Sequence, residues 1–91
     1  MVGKTNADGL LIDDEITGWT KHGTEQAIGR NSGIGVSNST ISDAVKNPTQ
    51  VVPQAGGTTK YIGKDATVVL NPDGKVVTTW ANSSAGTRGG N

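Results

Sequence analysis

The chain has 91 residues, no net charge, no cysteine and a single histidine. That length builds one domain with one modest core, and the missing thiols exclude a disulfide framework and a thiolate-ligated zinc site. With one imidazole a histidine-rich zinc site is excluded too, so no cofactor is expected: any chemistry runs without metal or with a loosely held magnesium.

No apolar run approaches the roughly 20 residues of a membrane-spanning helix, and the first residues lack the basic-then-apolar layout of a secretory signal. The zero net charge hides an asymmetry. Residues 1–15 carry Lys4 against Asp8, Asp13, Asp14 and Glu15, a net of −3. The remainder carries seven cations (Lys21, Arg30, Lys46, Lys60, Lys64, Lys75, Arg88) against Glu25, Asp43, Asp65 and Asp73, a net of +3. A mildly basic body behind an acidic leader is compatible with a phosphate-bearing ligand.

Residues 1–14, "MVGKTNADGLLIDD", mix Gly, Asn and Asp without sustained periodicity. They read as a linker or loosely docked arm, with Leu10, Leu11 and Ile12 available to tuck against a body formed by residues 15–91. A first helix is expected over 20–30, capped by Thr17 or Thr20, with Ala27 and Ile28 as its apolar face. Gly23 and Gly29 weaken it, each costing up to about 1 kcal/mol relative to alanine. After the turn "NSGIGVSNS", where Ile34 and Val36 point inward, Ser37 or Ser39 caps a second helix over 39–46. There Ile41, Ala44 and Val45 recur at the spacing of a buried stripe, and Asn47-Pro48 ends it. "GIGVS" precedes no strand–helix phosphate-loop pattern and carries no site.

The second half changes period. "TQVVPQ" is a short edge strand limited by Pro53, and "TTKYIG" a second strand. In "ATVVLNPDGKVVTTWA" two β-branched runs flank Asn71-Pro72-Asp73-Gly74, the chemistry of a type I turn with glycine in the left-handed position and a bulge. That turn pairs Asn71 with Lys75, Leu70 with Val76, Val68 with Thr78 and Ala66 with Trp80. The tail "NSSAGTRGGN" is rich in turn formers. The expected class is α+β: two N-terminal helices packed on one face of a three- to four-stranded antiparallel sheet, whose other face stays partly open.

His22 stands in "GWTKHGTEQAIGR" between Lys21 and, eight residues on, Arg30. On an ideal helix those eight residues turn 800°, leaving His22 and Arg30 about 80° apart with Gln26 between them. The three form either a functional ridge or the solvated side of an amphipathic helix. Lys60, beside Tyr61, is either a phosphate clamp or an edge-strand lysine that blunts aggregation. Arg88 could close over a substrate, and Trp19 is a packing residue or a stacking platform.

Three segments in this order, "WTKHGTEQAIGR", "GIGVSNSTISDAVKNP" and "KYIGKDATVVLNPDGKVVTTW", span about residues 19–80. Together they resemble the C-terminal toxin domains of contact-dependent growth inhibition effectors, in the barnase/EndoU/colicin/RelE superfamily of small ribonucleases. The resemblance implies a metal-independent RNA endonuclease, acting most often on tRNA, that turns the ribose 2′-hydroxyl on the adjacent phosphate and leaves a 2′,3′-cyclic phosphate. It further implies a secreted or cell-surface effector acting in the target-cell cytoplasm, a cognate immunity protein, and an open place for a host elongation factor as activating partner.

Position by position, the resemblance assigns His22 to the family's histidine on the first helix and Arg30 to a cation further along it. Thr78 and Trp80 match a hydroxyl-plus-aromatic pair on a late strand. One histidine where EndoU-type sites have two excludes a two-histidine relay. Internal attack needs a base near the 2′-hydroxyl, positive charge on the phosphorane and help for the leaving 5′-oxygen. An imidazole suits the first or third role and cations the second. Lys21, Lys60, Arg88 and Trp19 are the candidate substrate-binding residues. Thr78 could bond a phosphate while Trp80 stacks on a base; Trp80 could equally be a core anchor beside Ala66, Val68, Leu70 and Val76, with Thr79 exchanging roles with Thr78 if a bulge shifts the register. The alternative function is a non-catalytic protein- or RNA-binding module. A DNA nuclease ranks behind both, because the acids are scattered singly outside Asp13-Asp14-Glu15.

Overall fold

The computed structural model describes residues 4–7, 9–12, 15–29 and 35–83. Arg30, Ile34 and Arg88 lie outside them. In chain order the elements are three two-residue strands, β1 (Lys4–Thr5), β2 (Leu11–Ile12) and β3 (Gly18–Trp19), then helices α1 (Lys21–Ile28) and α2 (Asn38–Lys46). Strands β4 (Gln50–Pro53), β5 (Thr59–Ile62), β6 (Ala66–Leu70) and β7 (Lys75–Ala81) follow, with a 3-10 turn Ala55–Gly57 between β4 and β5.

Both helices form near where sequence chemistry places them, but α1 ends at Ile28 instead of running to residue 30, so the expected helical ridge reaches only from His22 to Gln26. Thr20 is the N-cap of α1, its hydroxyl accepting from the Gly23 amide at 3.0 Å, and Gly29 closes the helix in the left-handed region at φ 93°. Ser37 caps α2, whose Ile41, Ala44 and Val45 are its buried residues. On α1 the inward residues are Gly23 and Ala27, while Ile28 is 48% exposed, so the expected Ala27–Ile28 face is replaced by one rotated toward Gly23. The cause is proximity. A Cβ at position 23 would overlap the carbonyl oxygen of Val76, so glycine lets α1 lie directly on β7.

The sheet runs β3-β7-β6-β5-β4. The α+β class stands, with corrections to the detail: the sheet has five strands, three short strands precede the helices, and β3 runs parallel to β7 while the other pairs are antiparallel. β3 enters the sheet through backbone and hydroxyl bonds. Thr17 N–H donates to the Gly74 carbonyl at 2.9 Å, its hydroxyl to the Asp73 carbonyl at 2.6 Å, and Thr20 N–H to the Val76 carbonyl at 3.1 Å. A pairing of two residues carries no period of its own and was invisible to pattern reading.

β4 is an edge strand, ending at Pro53. The β6–β7 turn is also as expected: Gly74 N–H donates to the Asn71 carbonyl at 2.9 Å, Asn71 N–H to the Lys75 carbonyl at 3.0 Å, and Gly74 sits at φ 85°. Leu70 pairs with Val76 as expected, but beyond it the register shifts. Val69 faces Thr78, Val68 faces Thr79 and Thr67 faces Trp80, in place of Val68 with Thr78 and Ala66 with Trp80. Val77 is the extra residue on β7, and a one-residue slip exchanges the two faces of everything after it.

One core lies between the helices and the sheet. Ala27, Val36, Ile41, Ala44 and Val45 meet Ala66, Val68, Leu70 and Val76, with Trp19 and Tyr61 packed against them. Leu10, Leu11 and Ile16 complete it, at 0%, 1% and 0% exposure. Burial of the two leucines contributes about 1.5–3 kcal/mol each as an upper estimate. The Asn38 amide holds their backbone, its Nδ2 donating to the Gly9 carbonyl at 2.9 Å while its Oδ1 accepts from Leu11 N–H at 3.3 Å.

Candidate nucleic-acid interface

The structure distributes the candidate residues over two surfaces. The first is the opening turn of α1. Lys21 and His22 are exposed there, Gly23 is buried and Gln26 is half-buried one turn on. The Thr20 hydroxyl accepts from Gly23 N–H and donates to the Val76 carbonyl at 3.0 Å, so the turn bearing His22 is fastened to β7 at both backbone and side chain. No acidic residue occupies this first turn, and the helix's own partial positive charge adds to that of Lys21. An exposed imidazole held on a fixed backbone can exchange a proton with a phosphate-bearing substrate. Gln26 continues the ridge on the same side of α1; Arg30 lies beyond the described residues.

The second surface is the sheet face turned away from the helices. Cross-strand pairing fixes its membership. One row reads Val52, Lys60, Val69, Thr78, and the next Gln50, Ile62, Thr67, Trp80. Trp80 is 43% exposed and belongs to this face, which removes its alternative as a core anchor among Ala66, Val68, Leu70 and Val76. The bulge is the reason. Thr79 takes the inward position, buried at 1%, with its hydroxyl donating to the Thr67 carbonyl at 2.7 Å. Thr78 stays half-buried on the outer face.

Beneath Trp80 the surface is held by polar bonds: the Thr67 hydroxyl donates to Asn82 Oδ1 at 2.8 Å, and Asn82 Nδ2 donates to the Gly63 carbonyl at 2.8 Å. Lys60, Thr78 and Trp80 therefore share one sheet face, with the buried Val69 between Lys60 and Thr78, whereas Lys21 and His22 stand in the helix layer. Tyr61, opposite Val68, faces the core and does not join Lys60. Trp19 is an anchor of the fold, half-buried against the core with its indole N–H donating to the Leu11 carbonyl at 2.7 Å. Arg88 lies outside the described residues.

Sequence reading missed Gln50, Val52 and Ile62 on the outer face. The signal was present in the alternation of "QVVP" against "TKYI", and became usable only once their pairing was known. No group of three or more His, Cys, Asp or Glu side chains that could hold a metal occurs among the described residues, and no described helix is long and apolar enough to cross a membrane.

By class, this is a small α+β domain with Lys21 and His22 exposed on its helix layer and Trp80 exposed on the sheet face turned away from the helices. The chain is 52% identical over 71 residues to the tRNA nuclease WapA of Bacillus subtilis (strain 168). That stretch is 78% of this chain and 3% of the relative, so the chain corresponds to a small part of a much longer protein. No family model matches the chain, and no solved structure matches it.

Proposed function

We propose that this domain is a toxin-type RNA endonuclease that cleaves tRNA. The observation that carries the reading is the 52% identity, over most of the chain, to a protein named as a tRNA nuclease. The exposed His22 beside Lys21 supplies the chemistry. In the mechanism proposed, the His22 imidazole takes the proton of a ribose 2′-hydroxyl. The 2′-oxygen bonds to the adjacent phosphorus, the bond from phosphorus to the 5′-oxygen breaks, and that oxygen takes a proton from solvent water as it leaves, while the imidazole returns its proton to solvent. Lys21 stabilises the charge gathering on the phosphorane, and Arg30 is assigned the same task. The products are a 2′,3′-cyclic phosphate and a 5′-hydroxyl. No step calls on a metal ion.

The ordered resemblance over residues 19–80 supports placing the domain with the barnase/EndoU/colicin/RelE group, as the C-terminal toxin of a secreted or cell-surface effector that acts in the cytoplasm of a target cell. A producing cell then needs a cognate immunity protein, and a host elongation factor is a candidate activator. The test is incubation of the purified domain with tRNA and with DNA in EDTA, followed by sequencing of RNA ends. Internal tRNA cuts bearing cyclic phosphate ends are expected. Intact RNA, together with harmless expression in bacteria lacking the immunity protein, would leave a non-catalytic binding module; metal-dependent DNA cleavage would replace the reading altogether.

A further inference from the structure

A polar latch spans the two layers beneath the turn that carries His22. Thr20 caps α1, and its hydroxyl has two partners: it accepts from Gly23 N–H at 3.0 Å and donates to the Val76 carbonyl at 3.0 Å, with the Val77 carbonyl 3.4 Å away. The Thr20 amide donates to the same Val76 carbonyl at 3.1 Å. Gly23 rests so close to that oxygen that no Cβ fits between them. Residues 20 and 23 therefore bracket His22 in the chain, and both are held to one peptide group of β7.

The bulge in β7 shapes this latch. In a regular strand successive carbonyls point to opposite edges, so one hydroxyl reaches one of two neighbours. Here Leu70 pairs with Val76 and Val69 with Thr78, which leaves Val77 unpaired, and the carbonyls of Val76 and Val77 both come near the Thr20 hydroxyl. Capping needs only the acceptor half of a hydroxyl. Ser37 shows the contrast: it caps α2 by accepting from Thr40 N–H, and its other hydroxyl contacts, with Ser39 and Thr40, stay within three residues. The donor half of Thr20 instead reaches a strand 56 residues along the chain.

We infer that Thr20 is a positioning residue for the cleavage chemistry: it fixes the first turn of α1 on β7, and through that turn sets where the His22 imidazole stands. This inference rests on the proposed ribonuclease reading, in which His22 takes the proton of the ribose hydroxyl. His22 is exposed, so its direction comes from its backbone. The first turn of a helix is where fraying begins. With the latch gone the turn is free to lift, and a displacement on the order of 1 Å at a reacting group costs up to about 10²-fold in rate. Thr20 touches no substrate in this scheme; its whole effect passes through His22.

The experiment measures kcat and KM of tRNA cleavage for wild-type protein, Thr20→Val, Thr20→Ser, His22→Ala and the Thr20→Val/His22→Ala pair, with Ser37→Ala as control, each well below its unfolding midpoint. Thr20→Val is expected to lower kcat about 10- to 100-fold at unchanged KM. Thr20→Ser, which keeps both halves of the hydroxyl, restores most of that loss. In the His22→Ala background Thr20→Val brings no further loss, because the group it positions is gone. Ser37→Ala loses the cap of the other helix and lowers the unfolding midpoint, yet leaves kcat in place. A loss in the double variant equal to the product of the two single losses would make Thr20 a stabilising cap only and overturn the inference, as would full activity in Thr20→Val. Should Thr20→Val not fold, Thr20→Gly carries the same cycle, since glycine caps nearly as well but has no hydroxyl. Wild-type protein that cuts no RNA, or His22→Ala that cuts as fast as wild type, fails the reading beneath the inference; cleavage that needs His22 but ignores Thr20 fails the latch alone.

Discussion

Replacing Gly23 with alanine sets local helix chemistry against tertiary packing. Helix propensity alone favours the change by about 0.8–1 kcal/mol. The structure opposes it, because a Cβ at position 23 would overlap the Val76 carbonyl oxygen and lie 3.3 Å from Thr20 Oγ1. Helix α1 must then lift from β7. The Val76 carbonyl would lose the bonds it accepts from Thr20 N–H and the Thr20 hydroxyl, at 3.1 and 3.0 Å. At a net of about 0.5–1.5 kcal/mol each these come to roughly 2 kcal/mol, and overpacking adds about 1–3 kcal/mol. Against the gain in propensity, the balance is a loss of about 2–4 kcal/mol. Urea unfolding followed by tryptophan fluorescence reads it directly, with a fall in midpoint of roughly 1–2 M at an unchanged slope. A companion Thr24→Ala change, half-buried on the same helix, should shift the midpoint by a small fraction of that. A Gly23→Ala protein as stable as wild type would refute the claim that contact with β7, rather than turn formation, is why glycine stands here.

His22→Ala should lower tRNA cleavage by about 10²–10⁴-fold with the circular dichroism spectrum intact, because the side chain is exposed and contributes nothing to the core. Lys21→Glu should move stability and activity in opposite directions: an anion in the first turn of α1 favours the helix by about 0.3–1 kcal/mol, and removing the cation beside His22 slows cleavage; unfolding midpoints and initial rates check the two halves. Asn38→Ala removes the amide that grips Gly9 and Leu11, at a cost of about 2 kcal/mol, and native-state hydrogen exchange should show the Leu11 amide opening faster than those of β6.

The sequence by itself determined the elements whose instructions are local. Thr20 and Ser37, each one of two capping candidates in the sequence, cap helices because a side-chain oxygen satisfies orphan backbone groups within a turn of where it stands, whereas Gly29 read as a weak residue inside the helix and proved to be its left-handed end. Asn71-Pro72-Asp73-Gly74 closed its hairpin, Pro53 bounded an edge strand, and Ile41, Ala44 and Val45 faced inward, all for reasons contained in a few adjacent residues. His22 was legible as a chemical group, and its exposure followed from its place on the helix.

Only the tertiary structure decided how those pieces share faces. β3 is too short to show a period and exists through bonds to residues more than 50 positions away. Gly23 read as a weak helix residue and proved to be the contact between two layers. The side on which Trp80 emerges turned on one inserted residue, Val77, and nothing in "KVVTTW" announces which of its β-branched residues will be skipped by the partner strand. Side-chain direction in a strand alternates at every step, so a single skipped residue, settled by packing across the sheet, decides whether an indole is core or surface.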